Sequence, residues 1–253
     1  MTYTLYIANK RYSSWSMRPW VLLKALNIPF DEKLVFFGAD LASQRTEFLR
    51  FSPSAKVPCL IDSDSSAAVF DSLAIVEYVA EAYPAVWPRD RLARAFARCA
   101  AAEMHSGFGG IRTDCSMNVA LRIQLGPRSE ALQRDIDRLT ELFSEGIRRF
   151  GGPWLAGNEF SAADAFYAPV ASRCKTFGIE LGGEAGSYLD RLFDHPAVQQ
   201  WVDEGITEPG IVARLEADSI RGRRVLKNLA ISAEEAQDPG LTTRPSAPLR
   251  HHA

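Results

Sequence analysis

The chain has 253 residues, enough for two modest domains that each bury a core. Its 47% hydrophobic content, 24% charged content and formal net charge of -2 describe a soluble globular protein and exclude a surface built to neutralise nucleic-acid phosphates. There is no apolar run near the roughly 20 residues of a membrane span and no basic-then-apolar leader. The cysteines Cys59, Cys99, Cys115 and Cys174 are scattered without a CxxC pair, so a cytoplasmic protein without a disulfide scaffold, zinc ribbon or dithiol centre is expected.

Residues 3–8 read as a short strand rich in aromatic and β-branched types. A polar loop, Asn9 to Ser14, leads to a helix over 16–26. Its apolar stripe is Trp20, Val21, Leu22, Ala25 and Leu26, and Pro19 is expected in its first turn, where a missing N–H costs nothing. A second strand at 30–37 completes a β-α-β unit, which implies a parallel pair with a crossover. A helix follows at 40–49. Residues 52–62 then give a turn, a proline and a strand that pairs in a hairpin with the extended run ending at Asp71. A strong helix starts at Ser72, a good N-cap. Residues 1–83 thus read as β-α-β-α-β-β-α, and 82–88, with two prolines, as a linker.

From Arg89 onward strand signal is almost absent. Helical patterns cover 89–108, 129–150, 162–177 and 196–205, which makes 84–229 an all-helical second domain. Ser161 three residues before Asp164 is a capping box, assigned to folding. Residues 230–253 read as a flexible tail, and His251 and His252 within it as inert toward metals.

Three signals bear on chemistry. Val57-Pro58, after Lys56 and before a strand, marks a strand edge; if the bond is cis, it also frees the Val57 backbone to pair with a peptide-like ligand. Asp71-Ser72 opens a helix, where N–H groups favour a carboxylate and Asp71 could meet an ammonium; a plain N-cap is the alternative. Ser13, Ser14 and Ser16 lie where a hydroxyl could donate to a thiolate and lower a thiol pKa from about 8.5, or could simply cap the helix. Arg18 adds positive charge nearby.

In this order and spacing the signals resemble the cytosolic glutathione S-transferase family over roughly residues 3–210. The serine-type classes, zeta above all, are most similar: their segment reads SSC where this chain has Ser13-Ser14-Trp15. The resemblance implies an α/β thioredoxin-like N-terminal domain, an all-α C-terminal domain, glutathione as co-substrate, no metal and a homodimer with neither nucleic acid nor membrane as partner. The implied activity is conjugation of glutathione to a small hydrophobic electrophile, as in detoxification. Ser13 matches the catalytic serine, with Ser14 as alternate. Val57 matches the backbone that pairs with the cysteinyl part, Pro58 the cis-proline, and Asp71 and Ser72 the γ-glutamyl pair. Lys56 is placed for the glycyl carboxylate. Trp15, His105, Arg112, Met117 and Asn118 are candidates for the electrophile pocket. The chain departs from zeta at Trp15, where that class has a cysteine, and at Thr176, where its substrate-binding arginine would align; Arg173 lies one turn earlier. A glutathione-dependent isomerase and a non-catalytic ligand-binding protein of the same fold are the alternatives.

Overall fold

The computed structural model describes residues 2–230; the expected tail lies outside them from residue 231 on, as do His251 and His252. The N-terminal half is built on a four-stranded sheet in the order β2-β1-β3-β4. β1 (Tyr3–Ile7) lies parallel to β2 (Phe30–Leu34) and antiparallel to β3 (Cys59–Asp62), and β3 forms a hairpin with β4 (Ala67–Phe70). β1 is central, and Tyr3, Leu5 and Ile7 on its inner face are buried, as alternation along a strand requires.

The first helix, α1 (Ser14–Ala25), starts two residues earlier than the sequence pattern suggests. Pro19 therefore stands inside the helix and not in its first turn. Lacking an N–H, it leaves the Trp15 carbonyl without its helical donor. α2 (Leu41–Phe48) is capped by Asp40. α3 (Ser72–Ala82) is capped by Asp71, not by Ser72: the Asp71 carboxylate accepts from Leu73 N at 2.8 Å and Ala74 N at 3.3 Å. Asp71 holds φ at +95°, a conformation that costs a non-glycine residue on the order of 1–3 kcal/mol. The connection to the second half is packed down: Pro84–Val86 form a 3-10 turn, and Val86 and Trp87 are buried.

The second half is mostly helical. The expected helices are α4 (Arg91–Ser106), α6 (Glu130–Phe150), α7 (Ala162–Phe177) and α9 (Pro196–Thr207). Three shorter ones, α5 (Gly109–Asp114), α8 (Gly183–Phe193) and α10 (Ala213–Ile220), were not legible in the pattern. An all-α domain is also too simple, because β5 (Leu121–Ile123) and β6 (Val225–Asn228) form an antiparallel ribbon. α7 is buried on nearly every side and is the central post of the fold, packing on α1, α4 and α8. Its capping box is closed: Asp164 accepts from Ser161 N at 2.9 Å, and it also accepts from Leu155 N and the Tyr188 hydroxyl.

The second half also fixes the loop that follows β1. Arg11 donates from Nε to Gly205 O and from Nη2 to Ile206 O and Glu208 O, a cation at the carbonyl end of α9. Lys10 is buried among Glu32, Glu204 and the rings of Trp20 and Trp201. A side chain at Gly205 would come within 3.0 Å of the Lys10 carbonyl carbon, so glycine permits this close approach.

Candidate functional site

A cavity of about 540 Å³ opens where the 9–14 loop, the turn before β3 and the start of α3 meet. It is lined by Ser13, Ser14 and Trp15, by Lys56, Val57 and Pro58, and by Asp71 and Ser72. The Val57-Pro58 bond is cis. The Val57 N–H and C=O make no hydrogen bond among the described residues, so they are available as a strand-like edge.

The two serines differ in their hydrogen bonds. Ser13 is the N-cap of α1: its hydroxyl accepts from Ser16 N at 3.4 Å and donates to Ser16 Oγ at 2.7 Å. The Ser14 hydroxyl instead accepts from Arg173 Nη2 at 3.3 Å, and its own proton has no acceptor among the described residues. Ser72 is buried, and its hydroxyl accepts from Arg18 Nη1 at 3.4 Å.

Three guanidinium groups converge behind this wall. Arg18 also donates to Met104 O, and its Nε is buried without a partner. Arg112 donates from Nε to Gly107 O and from Nη2 to Met104 O. Arg173 donates from Nε to Cys115 O at 2.8 Å, while its Nη1 is buried without a partner. None forms an ion pair with a carboxylate among the described residues. Burial, reinforced by the charge of Arg112, pushes Arg173 down to about 10. Burial, then Arg112 and Arg173, holds Arg18 well below the usual arginine range. Asp71 acts on Arg18 and Asp135 on Arg112 only from beyond ion-pair distance, so these enclosed cations favour an anion beside them.

The remaining candidates separate. Trp15 stands at the cavity wall, with the guanidinium of Arg18 4.2 Å and that of Arg112 4.9 Å from its ring centre. His105 meets the edge of Trp15 and turns its Nε2 to Asp71 Oδ2 at 3.5 Å, which puts it behind these two residues and outside the cavity lining. Met117 and Arg112 line a separate 190 Å³ pocket with Tyr12, Arg173 and Leu215. Asn118 does not reach either space. It is fully buried, its Nδ2 donates to Glu216 at 2.9 Å, its Oδ1 accepts from Ala120 N and its carbonyl from Thr176. It shapes the loop from within.

The sequence reading missed Tyr12, Phe37, Gln44 and Phe70, which also line the large cavity. Tyr12 adjoins the serines and could have been included on that ground. Phe37 and Gln44 carry no local signal, because their place depends on how α2 folds back over the sheet. Among the described residues no group of three or more His, Cys, Asp and Glu could hold a metal ion, and no helix is long and apolar enough to cross a membrane.

A family model for the glutathione S-transferase N-terminal domain matches residues 12–82, and one for the C-terminal domain of the same family matches residues 128–204. The chain belongs to the glutathione S-transferase family. A probable maleylacetoacetate isomerase from Caenorhabditis elegans is 26% identical over 174 residues, covering 67% of this chain and 78% of that one. A stringent starvation protein A homolog from Haemophilus ducreyi is 25% identical over 205 residues, covering 76% and 91%. A crystal structure of a glutathione transferase homolog from Burkholderia (BGR1), with bound glutathione, superposes with a TM-score of 0.60 at 27% identity, covering 81% of this chain and 98% of that one. The transferase fold explains why the elements that bring Ser14, Val57 and Asp71 together belong to the N-terminal match, while Arg173 comes from the C-terminal one.

Proposed function

We propose that this transferase binds glutathione in the 540 Å³ cavity and attacks a small electrophile with the glutathione thiolate. The observation that carries the proposal is the convergence on one cavity of an unpaired backbone edge at Val57, a charged helix start at Asp71-Ser72 and the hydroxyls of Ser13 and Ser14. A tripeptide lying along Val57 pairs its cysteinyl amide there. Its γ-glutamyl carboxylate meets the Ser72 N–H, the first-turn donor of α3 that the Asp71 cap leaves free, and its ammonium meets Asp71. Lys56 lies at the other end.

Ser13 already donates its proton to Ser16. Ser14 has its oxygen held by Arg173 and its proton to give, so Ser14 is the proposed donor to the sulfur, with Ser13 setting the helix start. The thiol proton leaves to solvent, the thiolate is stabilised by the Ser14 hydroxyl and the guanidinium charge behind it, and the sulfur then forms a bond to the electrophilic carbon as that carbon releases its leaving group (halide, from an aryl halide) or, in an addition, as the π electron pair moves to the neighbouring atom and takes a proton from solvent. Holding both reactants together supplies further rate. The electrophile is placed against Trp15 and the Arg112 side of the site. Turnover across aryl halides, isothiocyanates, peroxides and maleyl-type acids, with glutathione binding by calorimetry, tests the proposal; absence of saturable binding at millimolar glutathione would overturn it.

The resemblance to a probable maleylacetoacetate isomerase favours a second reading, glutathione-dependent isomerisation. Conversion of a maleyl-type acid without net loss of glutathione would select it. Domain limits near residues 83 and 229 and a two-fold homodimer belong to the same proposal. Sedimentation at micromolar concentration tests the dimer, and a stable monomer would refute it.

A further inference from the structure

We infer that His105, on α4, is a positioning residue for Asp71 and makes the grip on the γ-glutamyl ammonium of glutathione depend on pH. This rests on the glutathione reading above and deepens it. The carboxylate oxygens of Asp71 have different duties. Oδ1 accepts from Leu73 N and Ala74 N and is held by the cap of α3. Oδ2 is the oxygen left for an ammonium, and it is the one that His105 Nε2 approaches at 3.5 Å. Asp71 lines the cavity and His105 does not, so the imidazole reaches the carboxylate from outside the ligand's space. It meets the edge of Trp15 there, with ring centres 5.2 Å apart.

The protonation state of His105 decides what Oδ2 can offer. A neutral ring with its proton on Nε2 directs that proton toward Oδ2 and leaves Nδ1 bare; Nδ1 is buried without a partner. In this state Asp71 keeps its full charge for one incoming cation. A second proton has to sit on that enclosed Nδ1. Burial opposes it most, Asp71 before α3 favours it, and Arg18 on α1 and Arg112 on α5 oppose it. The carbonyl end of α4 favours charge, yet the balance lies toward the neutral ring. Protonated His105 sets a second cation against the single oxygen that the ammonium needs. Glutathione and that proton therefore oppose each other, each weakening the other by the same factor. Affinity is full while His105 is neutral and falls as pH drops through its lowered value, below the ordinary value of about 6.5.

The test measures binding by calorimetry on the full chain. One ligand is S-methylglutathione, whose sulfur carries no proton. The other is its desamino analogue, with glutaryl in place of γ-glutamyl, which lacks only the ammonium. Wild type is expected to lose about fivefold or more in affinity for S-methylglutathione between about pH 7.5 and about pH 5, the range of one coupled site. The desamino analogue is expected to stay within about twofold over the same interval. So is S-methylglutathione with His105→Gln, whose amide donates but does not titrate. An unchanged wild-type affinity, an equal loss for the desamino analogue, or the full loss in His105→Gln would overturn the role of His105 while leaving the glutathione site standing. Failure of wild type to bind S-methylglutathione saturably at about pH 7.5 would overturn that site and this inference with it.

Discussion

Arg173 on α7 and Ser14 on α1 are joined by a 3.3 Å hydrogen bond that spans 159 positions of sequence. The bond holds the serine oxygen as an acceptor and leaves the hydroxyl proton directed elsewhere. It also ties the family's two domains together at the point where the thiolate is proposed to sit.

Replacing Ser14 with Ala is expected to raise the pKa of bound glutathione by roughly one to two units, because a hydrogen bond to a charged group is lost. Ser13→Ala is expected to shift that pKa less and to cost about 1 kcal/mol of stability, as loss of an N-cap does. Thiolate absorbance against pH separates the two. A large shift in Ser13→Ala with none in Ser14→Ala would exchange their roles.

Asp71 serves as both helix cap and proposed ammonium partner. Asn keeps capping ability and tolerates positive φ. Asp71→Asn is therefore expected to change stability by less than about 0.5 kcal/mol while weakening glutathione about tenfold, the effect of one charge pair. Asp71→Ala adds a capping loss of about 1 kcal/mol. Equal glutathione affinity in wild type and Asp71→Asn would remove Asp71 from the ligand site.

His105 has its pKa lowered by burial, with Arg18 and Arg112 acting in the same direction and Asp71 against it; Trp15 packs on its other side. The folded state prefers neutral His105. Its contribution to stability is complete above the ordinary value of about 6.5 and is lost as pH falls through the lower folded value. The melting temperature of wild type should fall more steeply than that of His105→Gln as pH drops below about 6.5. Parallel curves would contradict this.

Lys10 is a buried cation whose acidic partners, Glu32 and Glu204, are 30% and 40% exposed. Lys10→Met keeps the stem against Trp20 and Trp201 but removes the cation shared by the two acids, leaving Glu32 the Trp20 indole N–H and Glu204 the Gln200 amide as donors. A loss of about 1–3 kcal/mol is expected, below that of a fully buried pair, because solvent screens both partners. Urea unfolding measures it.

The β-α-β-α-β-β-α order was legible because each element carries its own signal, from the aromatic and β-branched run at Tyr3–Ile7 to the apolar stripe of α3. The ribbon was not: β5 is three residues long and acquires its partner, β6, about a hundred positions later. α8 opens on Gly182 and Gly183 with no side-chain cap, so its start has no signature. The residues Ser13, Ser14, Val57, Pro58, Asp71 and Ser72, which line one cavity, were named from order and spacing, with Ser13 placed ahead of Ser14. The Ser14–Arg173 and Asp71–His105 contacts were not, since both depend on how the helical half docks. That docking also withdraws Asn118 from the pocket.

The most direct measurement is the ultraviolet thiolate titration of glutathione bound to the wild-type protein. The bound thiol is expected to titrate at least one unit below the free value of about 8.5, with saturable binding. A bound thiol that titrates near 8.5, or no saturable thiolate signal at millimolar glutathione, would contradict the assignment of this cavity as a site that activates glutathione.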